Sequence, residues 1–398
     1  MNGKHVLLVG GRGHELPKVH GLGLRYSMIQ IPERVTEAQS AGASHYAVLD
    51  YRDLDRILPT IRAWHAEDPF DAVLSFTEYG LEPASRCAIE LGLAGDNLTA
   101  VLRTRDKTRT RELLDRHGLS PVRHRVCATP ADARAFMAEL GGLPIVLKPR
   151  AGGLSEGVFF VATEAELAER WGWTSTVETG PLLAEEYLTG PEYSVESVSR
   201  DGVHEIVMVT EKITTGLPGF VELGHQQPAR LGERDRAAVD ELITSFLTLI
   251  DQRTGPVHSE LRLTPAGPRL IEAQTRIGGD QIWEMCELAS GVDMIAETLT
   301  ALLGLPAPDR VAQAKAAAIR FFGYENSTVL DVTGVAAARA ATGVHRLVCS
   351  LAAGQELGRL TSSNLRQGYV LCTGDSTDDA VAKADAAHAM VRVDRVPR

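Results

Sequence analysis

The sequence is poor in the features that would tie it to a membrane, an oxidising compartment or a nucleic acid. No apolar run in its 398 residues reaches transmembrane length. Residues 1 to 15 lack the charged start, apolar stretch and small-residue cleavage site of a signal peptide. The expectation is a cytoplasmic chain with no membrane partner. Cysteine is sparse and scattered: Cys87, Cys127, Cys286, Cys349 and Cys372 form no C-x-x-C pair and have no histidine at zinc-ligand spacing, so they read as reduced, structural thiols. Positive charge is in deficit, and a formal net charge of -11 leaves no cation surplus for a nucleic-acid surface. The local exception, "RTRDKTRTRELLDRHGLSPVRHR" at 103 to 125, reads for most of its arginines as a solvated helix face. A Walker loop is absent, the glycines at 10, 11 and 13 do not fit G-x-G-x-x-G, and there is no internal repeat or low-complexity segment.

What is present is an alternation of strands and helices. "HVLLVGG" reads as a buried strand entering a tight turn, and "AVLSF" followed by "EPASRCAIELGLAG" as strand, helix and glycine stop. Over the first hundred residues this predicts a small parallel α/β sheet. From Asp106 the pattern becomes two helices and the strand "PIVLKP". Then comes a hairpin, "EYSVESVSRDGVHEIVMVTEK", with Asp201-Gly202 at its turn. Val239, Leu242, Ile243, Phe246, Leu247 and Ile250 recur at helical spacing, so that helix turns a stripe to the core. Two more helices, near 281 to 290 and 293 to 303, end at "GLPAP". The last ninety residues hold short strands and a terminal helix.

Three stretches could carry chemistry. In "HSELRLTPAGPRLIEAQTR" a turn centred on Ala266 places Glu260 opposite Glu272 on paired strands, where like charges repel unless a divalent cation lies between them. The alternative is a glutamate turned to solvent or a bulge that shifts the register. On the second strand Glu272, Gln274 and Arg276 share one face, with Ile271, Ala273 and Thr275 on the other. In "IVLKPRAGGLSEGV" a strand delivers Lys148, and Gly152, Gly153, Ser155 and Gly157 follow in turns whose N–H groups could approach phosphates. In "LLAEEYLTGPEYSVE" the acids Glu185, Glu186, Glu192 and Glu196 either face a nucleoside or stand exposed on an edge strand. Singly, Glu78 at the end of "AVLSF" is a substrate-amine ligand or a helix cap, and His225, in a loop bounded by Gly and Pro, is a candidate substrate contact.

The order Lys107, Lys148, glycine loop, "EEYLTGPE", Glu260, then Glu272-x-Gln274-x-Arg276 resembles the ATP-grasp superfamily across roughly residues 1 to 390. "FVELGHQQPARL", "HSELRL", "RIGGDQI" and "RQGYVLCTGDSTDDAVAKA" look most like its carboxylate–amine ligases that join L-amino acids into dipeptides. The resemblance implies an α/β (α+β) ATP-grasp fold. A parallel N-terminal domain would span 1 to 105, an ATP-grasp domain 106 to 305 (subdomains 106 to 182 and 183 to 305), and a C-terminal α+β segment 306 to 398.

It further implies ATP and Mg²⁺ as cofactors, with Mn²⁺ as a substitute, amino acids as substrates and a homodimer. Lys107 and Lys148 would contact phosphates under a mobile loop at 152 to 158 that includes Gly153 and Ser155. Glu185 and the backbone of Glu186, Tyr187 and Leu188 would hold adenine, and Glu192 the ribose. Glu260 and Glu272 would ligate metal, joined by Gln274 where the family usually has Asn. Arg276 would hold an acyl phosphate. Gly278 and Gly279 can bring N–H groups to a substrate carboxylate, and Asp280 serves as helix N-cap or amine ligand. The expected reaction is ATP-dependent amide formation. The alternatives are carboxylation or formylation through bicarbonate or formate, and a nucleotide binder without catalysis.

Overall fold

The computed structural model describes residues 3–153 and 155–398. The first sheet is parallel: β1 (His5–Val9), β2 (Arg25–Gln30), β3 (Tyr46–Val48), β4 (Ala72–Leu74) and β5 (Ala94–Gly95), in the order β3-β2-β1-β4-β5. "HVLLV" is buried at every position because helices cover both faces of its central strand. The helix Leu81–Leu91 ends on Gly92 at φ 67, the left-handed cap that its glycine stop implies.

A small antiparallel sheet follows: β6 (His124–Cys127), β7 (Ile145–Lys148), β8 (Phe159–Val161) and β9 (Leu182–Glu186), ordered β6-β9-β7-β8. The division expected at 182/183 therefore falls inside a strand: pairing to β6 and β7 carries the small sheet through Glu186. Its core, around Phe136, Ile145, Leu147 and Leu182, is separate from the others.

The large antiparallel sheet holds β10 (Glu192–Arg200), β11 (Val203–Thr214), β12 (Glu222–Gln227), β13 (Gly255–Thr264), β14 (Gly267–Gln274) and β15 (Ala316–Phe321). Past β16 (Ser327–Thr333) it takes in β17 (Val344–Cys349), and past β18 (Glu356–Leu357) it takes in β19 (Gly368–Gly374). Its order is β14-β13-β10-β11-β12-β15-β19-β17, so three strands from beyond "GLPAP" continue the sheet of the preceding segment. The helix Thr377–Met390 is not terminal: β20 (Arg392–Pro397) follows and pairs with β16. The helix Glu233–Leu249 lays Val239, Ile243, Phe246 and Leu247 against one face of this sheet.

One core joins the parallel sheet to the helices Ile282–Ser290 and Met294–Leu302, through Leu8, Met28 and Leu74 on one side and Cys286, Ile295 and Leu299 on the other. Four of the five cysteines are buried and none is bridged. No helix among the described residues is long and apolar enough to cross a membrane.

Candidate active site

The face of the large sheet opposite the helix Glu233–Leu249 is polar. Glu192 on β10, Lys212 on β11, Glu222 and His225 on β12, His258, Glu260 and Arg262 on β13, and Glu272 and Gln274 on β14 all line one cavity of about 820 Å³. The small sheet contributes Lys148, Glu185 and Glu186, and the parallel sheet contributes the ends of β1 and β4. Strand alternation does this: neighbours such as Tyr193, Val195, Leu261 and Ala273 face the apolar core while the polar set faces the cavity.

Glu260 and Glu272 are directly paired across β13 and β14. The bulge also occurs, one residue earlier, since Leu261 pairs with Leu270 and Ile271 is extra. Ile271 consequently lines the cavity, contrary to the expectation that it shares a face with Ala273. Each carboxylate meets a lysine: Lys212 Nζ lies 2.7 Å from Glu260 and Lys107 Nζ lies 2.9 Å from Glu272. Burial raises both carboxyls. Lys212 and His258 outweigh it at Glu260, and Lys107 outweighs burial and Glu260 at Glu272, so both sit below the usual carboxylate range. His258, between Glu196 at 2.7 Å and Glu260 at 3.2 Å, is raised to about 9 against its burial by those two carboxylates. It is a protonated prop beneath Glu260.

Lys148, at the end of β7, meets Glu185 at 2.6 Å. Glu185 also accepts from Arg111 Nε at 2.5 Å, and burial of the carboxyl is outweighed by these two cations, which hold it at about 2. Shared between two cations, Glu185 does not offset the burial of Lys148 or the repulsion from Arg111 and Lys107, and Lys148 lies below the ordinary lysine value. The Glu185 carboxylate, expected at the adenine, is thus taken by Lys148 and Arg111. Arg111 corrects the reading of 103 to 125 as solvated: it is fully buried, and it also donates to the carbonyl oxygens of Leu270 (2.7 Å) and Ile271 (3.2 Å).

At the far end of the cavity, Tyr187 stacks near Phe220, and Arg262 lies over both rings. Arg262 also holds Glu192 at 3.1 Å and the Leu188 carbonyl at 3.0 Å. The N–H groups of Glu186 and Tyr187 donate to the carbonyls of Arg123 and Pro144, and the Glu186 carboxylate turns to Arg123. Among the described residues this leaves the Leu188 N–H without a partner, available to a planar acceptor. In the glycine turn, Gly152 accepts from Lys107 at 3.1 Å and Ser155 donates to the Phe220 carbonyl at 3.2 Å; Gly153 borders the cavity, and Leu154 of that turn lies outside the described residues.

At the other end, Arg276 Nε donates to Glu78 Oε2 at 3.0 Å, so Glu78 anchors this arginine and does not cap the following helix, whose N-cap is Gly80. Gly278 fits closely, since a Cβ there would meet Glu196 and His258 at 2.9 and 3.0 Å. The N–H groups of Gly278 and Gly279 make no hydrogen bond among the described residues. Asp280 is not an N-cap: Gln281 holds that position. Both residues are left-handed (φ 54 and 64), and the Asp280 carboxylate binds Arg366 Nη1 at 2.8 Å and His225 Nε2 at 3.4 Å. His225 lies within β12, not in a loop.

The donor set suits a hard cation. Glu260 and Glu272 face each other, Gln274 Nε2 donates to Glu272 at 2.8 Å, and Gln274 Oε1 is buried with no partner. Among the described residues no group of three His, Cys, Asp or Glu could hold a metal by itself.

Lys212 was not anticipated from the sequence. It is buried among Glu192 (2.9 Å), Glu222 (3.5 Å) and Glu260, and its ammonium is raised well above the ordinary value because these three outweigh burial. The available signal was the alternation itself. Polar residues recur at every second position in four neighbouring strands, a pattern seen only when the strands are read together.

Three family models match the chain: an ATP-grasp N-terminal domain over residues 17–95, an ATP-grasp domain over 141–284, and an L-amino acid ligase C-terminal domain 2 over 320–395. The alanine–anticapsin ligase of Bacillus subtilis (strain 168) is 26% identical over 250 residues, covering 56% of this chain and 52% of that protein. Carnosine synthase 1 of Gallus gallus is 26% identical over 339 residues, covering 77% of this chain and 36% of that protein. The matched stretches thus span about half and about a third of these two relatives. Among solved structures, an L-amino acid ligase from Bacillus licheniformis superposes with a TM-score of 0.82 at 22% identity, covering 99% of both chains.

Proposed function

We propose that this chain, an ATP-grasp protein with an L-amino acid ligase C-terminal domain, joins the carboxylate of one amino acid or similar acid to the amine of another. The observation that carries the reading is the meeting, in one cavity, of the Glu260–Glu272 pair, Lys107, Lys148 and an Arg276 anchored by Glu78. A carboxylate is a poor acyl donor because its oxygen is a poor leaving group; ATP with Mg²⁺ supplies the phosphoryl group that makes it a good one.

The chain's residues provide the setting. Glu260, Glu272 and the Gln274 amide oxygen would hold the cation. Lys107 and Lys148 would neutralise phosphate oxygens, and Lys107 and Lys212 now hold the Glu272 and Glu260 carboxylates that a cation would share. Tyr187, Phe220 and the Leu188 N–H receive the base, and Glu192 the ribose. Arg276 and the N–H groups of Gly278 and Gly279 steady the activated carboxyl group while the amine attacks. The printed names of the two relatives, a ligase of alanine and a synthase of carnosine, support amide formation.

Purified protein incubated with ATP, Mg²⁺ and pooled amino acids is expected to release ADP and yield condensed masses. Glu272→Ala is expected to abolish both while the melting curve keeps its cooperativity. ATP consumption stimulated by bicarbonate or formate, and by no amino acid, would replace this reading.

A further inference from the structure

The cations on the N-terminal rim of the cavity have no part in the chemistry above. Arg12, in the turn after β1, and Arg34, in the 3-10 turn Pro32–Arg34, line the same cavity as Arg276. Arg276 has Glu78 as its partner, and Arg366 has Asp280. Arg12 and Arg34 have no carboxylate within 4.0 Å and no side-chain hydrogen bond among the described residues. Glu33 and Arg52 border the same rim, but Arg52 is held by Asp50 at 2.7 Å. Two unpaired guanidinium groups therefore stand beside a third whose partner is already fixed.

The turn that carries Arg12 is braced. The buried carboxylate of Glu15 accepts the Gly13 N–H through both oxygens at 3.1 Å, and a Cβ at Gly11 would meet Glu15 Oε1 at 2.0 Å. The turn's amide is thereby satisfied internally, leaving the arginine as the group it offers to a ligand. His14 stacks on Trp283 with ring centroids 4.7 Å apart and 23° between planes, which docks the turn against the helix that follows Gly278 and Gly279. Burial and the nearby Arg12 push His14 down to about 4, so it adds a flat neutral wall and no further charge. Partial burial, Arg34 and Arg276 hold Arg12 below its ordinary value, with Asp280, itself held by Arg366, acting the other way.

In the ligase reading Arg276 and the two glycine N–H groups serve the reacting carboxyl group, which leaves Arg12 and Arg34, carried by the turns after β1 and β2, without a role. We propose that Arg12, backed by Arg34, docks the carboxylate of the amine substrate, so that the nucleophile is an α-amino acid or peptide and not a simple amine. The planar fork of an arginine matches a carboxylate, and a site built for that anion rejects an analogue lacking it. Glu78 Oε1, which makes no hydrogen bond among the described residues, is the neighbouring acceptor for the substrate's ammonium. This inference rests on the ligase reading.

The test compares pooled amino acids with the matching pool of their carboxamides as amine donors, the acid substrate and ATP held constant. The wild type is expected to prefer the free amino acids, and Arg12→Ala to reduce that preference roughly ten- to a hundredfold, the range of one charge-assisted hydrogen bond, through KM of the amine. Arg12→Lys, which keeps the charge but not the fork, should retain only part of it, and Arg34→Ala should lose part. Because Arg12 is exposed to the cavity, unchanged melting temperatures are expected for all three. Undiminished preference in Arg12→Ala, an equal loss with both pools, or a KM rise confined to the acid partner would each overturn the assignment. No product from any amino acid in the wild type would instead overturn the ligase reading itself.

Discussion

Glu185 balances the charge of the Lys148–Arg111 corner of the cavity by itself. It is 4% exposed and serves Lys148 and Arg111 together, so removing its charge leaves two buried cations facing each other. Its carboxyl, held at about 2 against an ordinary 4.5, contributes stability that is fully present above about pH 4.5 and is lost as pH falls through about 2. Glu185→Gln should therefore cost about 3 kcal/mol near neutral pH, with the deficit shrinking as pH falls from about 4.5 towards 2. Urea denaturation across that range checks it, and a deficit independent of pH would refute the charge assignment. Lys148 and Glu185, both expected at the site, line the cavity, whereas their partner Arg111 was not picked out. A run dense in Arg, Lys, Asp and Glu reads as solvated, and the helical spacing of Lys107, Arg111 and Leu114, which places all three on one inward face, is hidden by the charge of the first two.

Among elements, the β13–β14 hairpin was the most legible, because turn residues and strand alternation are local properties. Its bulge was not. The extra residue Ile271 lets Leu270 and Ala273 both face the core although they are three apart, and an apolar residue at 271 suits either face when the sequence is read alone. His225 and Asp280 were misplaced for a related reason: the strand β15 beside His225 and the side chain of Arg366 on Asp280 come from distant sequence. The turn joining β9 to β10 offers an element-level test. Gly190 has φ +111, and a Cβ there would lie 2.1 Å from the Leu263 carbonyl oxygen on β13, whereas Gly153 has no atom within 4 Å. Gly190→Ala is expected to cost about 2 to 3 kcal/mol and to loosen the stretch from Leu188 to Glu192. Gly153→Ala should stay within about 0.5 kcal/mol of the wild type in stability. Equal melting temperatures for the two variants would mean that the turn yields without strain.

For the molecule as a whole, the cores divide the chain differently from the linear boundaries. The parallel sheet and the helices at 282–302 share one core, and ion pairs reinforce the seam: Lys18 with Asp293 at 2.8 Å and with Glu287, and Glu78 with Arg276. The small sheet keeps a core of its own. Composition shifts and "GLPAP" mark where the chain changes direction, but they carry no information about which distant apolar faces meet, so this partition was not legible. It has a thermodynamic consequence, since residues that share a core unfold together while a separately packed sheet can melt by itself. Leu299→Ala and Leu8→Ala, each truncating a side chain at most 1% exposed in the shared core, should lower the same calorimetric transition by about 2 to 5 kcal/mol. Leu147→Ala, equally buried in the small sheet, should move an earlier transition and leave the later one in place. Because Lys148 and Glu185 belong to that small sheet and Glu260 and Glu272 to the large one, a nucleotide spanning both should bring the two transitions together. Calorimetry with and without ATP and Mg²⁺ reads both effects. If Leu147→Ala and Leu299→Ala displaced one common transition equally in the absence of nucleotide, the cores would be coupled without it, and closure around the nucleotide would not be what unites them.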